Sequence, residues 1–93
     1  MPTYRNQRFD VVLDVRTRLE FWMGHLEGAE CVPVQGLANA LPKRTDIPKD
    51  ARVLVYCASG ARSGAAVGIL RSLGYRHVVD AGPMRHATGD YVP

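Results

Sequence analysis

The chain is poor in cysteine, and none of its apolar runs approaches the length of a membrane span. Two thiols, Cys31 and Cys57, are too few to staple a small secreted scaffold. They form no CxxC pair, and no histidine or further cysteine stands at zinc-finger spacing from either, so no metal site is expected. A spanning helix needs roughly 20 apolar residues in succession; with none present, no membrane partner is expected. The first thirty residues lack the basic, apolar, small-residue order of a signal peptide, which makes a cytoplasmic location the expectation. Internal repeats and low-complexity tracts are missing too. Charge is not gathered on one stretch: the formal net charge is +3, but twelve lysines and arginines are scattered among nine carboxylates. A nucleic-acid face would need clustering, so no nucleic-acid partner is expected.

What is there suits one small globular domain. With 93 residues, 46% hydrophobic and 23% charged, the chain has room for a single core that buries roughly 60 to 65% of the unfolded surface. Residues 1–93 therefore read as one domain, with 1–8 expected to fray and 84–93 expected to form a tail holding at most half a turn of helix. A monomer is the expected state.

Along the chain, "FDVVLDV" holds a continuous apolar run, Val11 to Leu13, which suits a parallel strand covered on both faces. In "TRLEFWMG", Thr17 and Glu20 stand at capping-box spacing and Gly24 can end a short helix, with Phe21 and Trp22 expected to enter the core. "GAECVPV" reads as a brief strand, "GLANAL" as a helix of one or two turns, and "PKRTDIPKD" as an exposed loop. "RVLVYC" is the most strand-like run in the chain. After it, Ala66, Ile69, Leu70 and Leu73 fall at i, i+3, i+4 and i+7, predicting an amphipathic helix from Ser63 to Leu73 with Gly74 as its stop. "HVVDAG" is a last strand. Strands alternating with helices predict an α/β domain of three layers, with a central, mostly parallel sheet of four to five strands flanked by helices.

The chemistry concentrates in "YCASGARSG". Cys57 ends a strand, where ligands sit in parallel α/β sheets, and Ala58, Ser59, Gly60, Ala61, Arg62 and Ser63 separate it from the helix body. Small residues let the backbone curl, so that amide N–H groups converge above the sulfur and the helix N-terminus adds its own. A thiol held there ionises more readily, and the thiolate is the nucleophile. Arg62 would contact an anion or brace the loop, and Ser63 would double as a helix cap.

These residues resemble the rhodanese-like sulfurtransferases, in particular the small single-domain type typified by phage-shock protein E. The similarity runs over roughly residues 9 to 82, on "VVLDVRTRLEFWMGHLEGAECVPV" and "VYCASGARSGAAVGILRSLGYRHVVDAG". It implies that Cys57 takes a sulfane sulfur from a small anionic donor such as thiosulfate, becomes a persulfide, and passes the outer sulfur to cyanide or a thiol, with no cofactor. Related phosphatases place arginine six positions after their cysteine; here that position is Ser63, and the smaller cradle favours a single sulfur. A non-catalytic binding or redox-sensing module is the alternative, with phosphatase-like chemistry behind it.

Where many relatives begin with an extra strand and helix, this chain has about ten residues, which leaves one sheet edge open or covered by a partner. Gly82-Pro83 stands where two glycines are usual, and Ala58 and Ser59 replace the basic groups of thiosulfate-specialised members, leaving the donor open. Asp14 and Arg16 match the family's Asp-Val-Arg and read as a buried ion-pair brace. His25 reads as structural, His77 and His86 as surface or tail, Tyr56 and Tyr75 as packing on the sheet, and Cys31 as a small core residue rather than a resolving thiol.

Overall fold

A computed structural model describes all 93 residues. Its centre is a parallel sheet of four strands: β3 (Val11–Asp14), β4 (Glu30–Cys31), β5 (Arg52–Cys57) and β6 (His77–Pro83), in the spatial order β4-β3-β5-β6. Preceding it in the chain, β1 (Thr3–Tyr4) and β2 (Gln7–Arg8) form a tight hairpin, and β1 also pairs antiparallel with β7 (Tyr91–Val92). The helices are α1 (Arg18–Met23), α2 (Val34–Ala40), α3 (Ala61–Ser72) and α4 (Met84–Ala87), with a 3-10 turn at Leu41–Lys43. The fold is α/β in three layers, as the sequence predicts.

Period-two alternation sends strand side chains to two separate cores. Leu13, Val15, Val53, Val55 and Cys57 face one side, where Leu37, Leu41, Ala66 and Leu70 from α2, the 3-10 turn and α3 close over them. Val12, Leu54 and Tyr56 face the other, against Tyr4, Phe9, Leu26 and Ala87. Both faces of β5 are therefore covered, which is why its run from Val53 to Cys57 is continuously apolar and wholly buried.

Three expectations need correction. Residues 1–8 do not fray: the hairpin places Tyr4 in the second core, just ahead of buried Phe9, and pairs Thr3 with both Arg8 and Val92. Residues 84–93 are not a loose tail, because α4 buries Ala87 and β7 closes onto β1. Trp22 is not a core residue; it is 80% exposed, and no residue of α1 is buried. α1 is held instead by its ends. Thr17 accepts from the Glu20 amide while Glu20 accepts from the Thr17 amide, the capping box that the sequence spells, and the Gly24 amide donates to Phe21 O.

Candidate active site

Cys57 is the last residue of β5 and Gly60 is the N-cap of α3, so only Ala58 and Ser59 lie between strand and cap. A turn this tight requires Gly60 to adopt φ 99°, the left-handed region that favours glycine. That conformation aims the Gly60 amide back at the sulfur, with N to Sγ at 2.9 Å. Ser63 comes from the first turn of α3; its Oγ stands 3.4 Å from Cys57 Sγ and donates to Gly60 O at 3.1 Å. It is thus not the helix cap, and α3 starts two residues earlier than the apolar periodicity indicates. The hydroxyl spans the loop from inside. Gly60→Ala is expected to cost about 1 to 2 kcal/mol through the left-handed backbone alone and to slow chemistry at Cys57 further; paired urea melts and thiol alkylation rates check both.

The sulfur is recessed, Cys57 being 0% exposed, yet polar groups reach it. Burial pushes the Cys57 thiol up, but its hydrogen bond with the Ser63 hydroxyl and those from the Ser63, Gly60 and Ser59 amides outweigh burial and leave it below its ordinary value. Behind them stands the N-terminal end of a twelve-residue helix, whose dipole also favours an anion. Cys31 moves the opposite way, its thiol pushed up by burial and then by Asp14. Because β3 separates β4 from β5, Cys31 and Cys57 stand two strand spacings apart, about 9 to 10 Å, farther than the roughly 7 Å between Cα atoms that a disulfide tolerates.

The Arg62 side chain reaches α1. Its guanidinium forms a bidentate pair with Glu20 at 2.6 and 3.0 Å, joining the first turn of α3 to α1 across 42 residues of chain. Of the two roles open to Arg62, bracing is the one the geometry displays. Glu20 serves the capping box and the ion pair together, and Arg62, then the Thr17 amide, hold its carboxyl down at about 2. A carboxylate so depressed stabilises the fold fully above its ordinary value of 4.5, and that contribution is lost as pH falls through about 2. Urea midpoints of the wild type and Glu20→Gln are expected to differ at neutral pH and to converge in strong acid.

Asp14 and Arg16 form a buried ion pair beside Tyr56, the residue before Cys57. Asp14 is fully buried, and its carboxylate accepts from the Arg16 amide at 3.0 Å and from the guanidinium at 2.6 to 3.1 Å. The same guanidinium donates to Gly24 O and lies over the Tyr56 ring, 5.6 Å from its centre. Two further residues stand at the site: Pro83, which the sequence marks only as a departure from the usual pair of glycines, and Glu20. Pro83 faces Cys57 in the β5–β6 register and lies 3.7 Å from where a Gly60 side chain would begin, so it walls the loop. Glu20 reads locally as a capping residue only, since nothing near it signals Arg62. His25 stacks on Phe21 and hydrogen bonds Phe21 O; His77 and His86 are exposed. A cleft of about 310 Å³ lined by Asp10, Glu27, Glu30, Arg44 and Tyr91 opens at the amino ends of the strands, whereas Cys57 lies at the carboxyl ends.

The model of the rhodanese-like domain family matches residues 3–81. The chain belongs to the rhodanese-like family. It is 35% identical over 77 residues to thiosulfate sulfurtransferase PspE of Escherichia coli, covering 78% of this chain and 69% of that one. It is 40% identical over 73 residues to a sulfurtransferase of Allochromatium vinosum, covering 76% of this chain and 64% of the relative. Among solved structures, a rhodanese with anions from E. coli superposes with a TM-score of 0.77 at 30% identity, covering 88% of this chain and 95% of that one. Other relatives are several times longer: the rhodanese-like chain spans 24% of a tRNA uridine(34) hydroxylase of Cronobacter sakazakii. The resemblance to small single-domain rhodaneses stands on both sequence and fold, and no helix is long and apolar enough to cross a membrane.

Proposed function

We propose that the protein is a sulfurtransferase that carries a sulfane sulfur on Cys57, with residues 1–93 acting as one domain. The observation that supports this most is the Gly60 amide, 2.9 Å from Sγ at the N-terminal end of α3. In the first half-reaction the Cys57 thiolate attacks the outer sulfur of thiosulfate. The bond between the two thiosulfate sulfurs breaks, sulfite leaves with its electron pair, and the enzyme holds a persulfide anion. In the second, cyanide or a thiolate attacks that outer sulfur, and the electron pair of the broken bond returns to Cys57 Sγ. Neither step needs a cofactor, and a reducing compartment keeps the thiol available.

Ala58, Ser59, Gly60, Ala61 and Arg62 supply the loop that receives the donor, and Ser63 lines it from inside. Each amide contact to a charged sulfur contributes about 1.5 to 3 kcal/mol, so several keep both thiolate and persulfide anionic. Asp14 and Arg16 brace the chain beside Tyr56, the residue before Cys57. An intact, hydrogen-bonded Cys57 favours this reading over a binding or redox-sensing module, and an Arg62 committed to Glu20 leaves no arginine for the phosphoryl group of a phosphatase.

Intact mass spectrometry after incubation with thiosulfate tests the reading. One extra sulfur atom, removed by cyanide and missing in Cys57→Ser, is the expected result. Absence of the adduct with both thiosulfate and a low-mass persulfide donor overturns it, as does phosphate release from an aryl phosphate.

A further inference from the structure

Helix α1 carries its apolar side chains outward. Leu19, Trp22 and Met23 are 65%, 80% and 74% exposed, and their i, i+3, i+4 spacing sets them side by side on one helix face. Together they present on the order of 400 Å² of apolar surface, the size of the largest patch on a typical monomer and one that commonly marks an interaction site. A helix that buries nothing gains no folding stability from three large apolar residues. Their position says what they serve, since Glu20 on the adjoining face of α1 is clamped to Arg62 in the catalytic loop. The patch thus lies on the helix that is tied to the first turn of α3, just beyond the Cys57 loop.

Resting on the sulfurtransferase reading, we infer that the outer face of α1 docks a protein that presents a cysteine thiol from an apolar surface rimmed with carboxylates. Three observations select that partner. The sulfur is fully recessed, so a thiol on a protein has to be positioned to reach it, whereas cyanide diffuses in. The patch is too small for a stable dimer, which buries about 1,600 Å² in all, and suits the core of a transient encounter below about 1,200 Å². The charge on α1 itself is positive: Glu20 is neutralised by Arg62, while Arg18 is exposed and has no carboxylate partner. Carboxylates on the partner match that charge.

With the partner seated, its thiolate attacks the outer sulfur of the Cys57 persulfide. The bond between the two enzyme sulfurs breaks, the electron pair returns to Cys57 Sγ, and the partner leaves as a persulfide anion; two negative charges enter the step and two leave.

Three synthetic peptides probe this: one cysteine flanked by leucines and glutamates, the same with serines for the leucines, and the same with lysines for the glutamates. The expected result is kcat/KM about tenfold higher for the first than for either other, a factor worth about 1.4 kcal/mol. Leu19→Ser/Met23→Ser should remove that preference while leaving cyanide turnover within about twofold. Equal loss toward peptides and cyanide, or an unchanged preference, overturns the proposal. Trp22 is the chain's one tryptophan, so titrating Cys57→Ser with the first peptide reads docking without sulfur chemistry. A saturable blue shift that the double variant lacks is expected even if no persulfide forms, and a flat signal overturns docking even if one does.

Discussion

Replacing Cys57 by serine is expected to lower thiocyanate formation from thiosulfate and cyanide by about a thousandfold or more, the scale on which loss of a nucleophile acts. The serine would keep the size of the side chain and its buried place at the end of β5, so the urea midpoint should change far less than the rate. The pH dependence of the wild type carries the electrostatic content. Because the Ser63 hydroxyl and the Ser63, Gly60 and Ser59 amides outweigh burial and lower the thiol's pKa, the thiolate persists to lower pH than in free cysteine. Persulfide formation should accordingly fall off at a lower pH than the reaction of free cysteine with the same donor. Stopped-flow rates across the range check this, and a fall-off at or above the free-cysteine position would contradict the cradle.

The largest loss of stability is expected from Asp14→Ala. That change leaves the Arg16 guanidinium buried beside Tyr56 with only Gly24 O as an acceptor. Breaking a buried pair from one side costs about 3 to 5 kcal/mol, which in a domain of this size lowers Tm by more than about 10 °C. Asp14→Leu/Arg16→Met, which removes both charges, should cost less than Asp14→Ala, because no uncompensated charge remains. As a contrast, Asp46→Ala removes an exposed partner of Arg44 and should stay within about 1 kcal/mol. Denaturant melts of the four proteins rank the costs; an Asp14→Ala value no larger than that of Asp46→Ala would show that Arg16 finds water.

The parts of this molecule that local chemistry determines could be read from its residues. The capping box of α1 needs only Thr17 and Glu20 three positions apart. The amphipathic rhythm of α3 shows in Ala66 and Leu70, and the position of Cys57 at a strand end follows from the run before it. Contacts made across the chain left no such trace. Two-residue strands such as Thr3–Tyr4 and Tyr91–Val92 are too short to show alternation, and they exist only because the ends of the chain meet. Arg62 gives no sign that it will choose Glu20. Trp22 has the composition of a core residue, and only the orientation of α1 reveals that it faces water. Ser63 misled for a different reason: it resembles a cap, but Gly60 accepts the left-handed conformation and takes that place.

The pairing of Thr3 with Val92 has a consequence for how the domain can be joined to anything else. Both ends of the polypeptide emerge together near the cleft lined by Pro2 and Pro93, on the rim away from the carboxyl edge of the sheet. A fluorophore, a surface tether or a neighbouring module attached at either terminus would hang from the back of the molecule and leave the entrance to the sulfur clear.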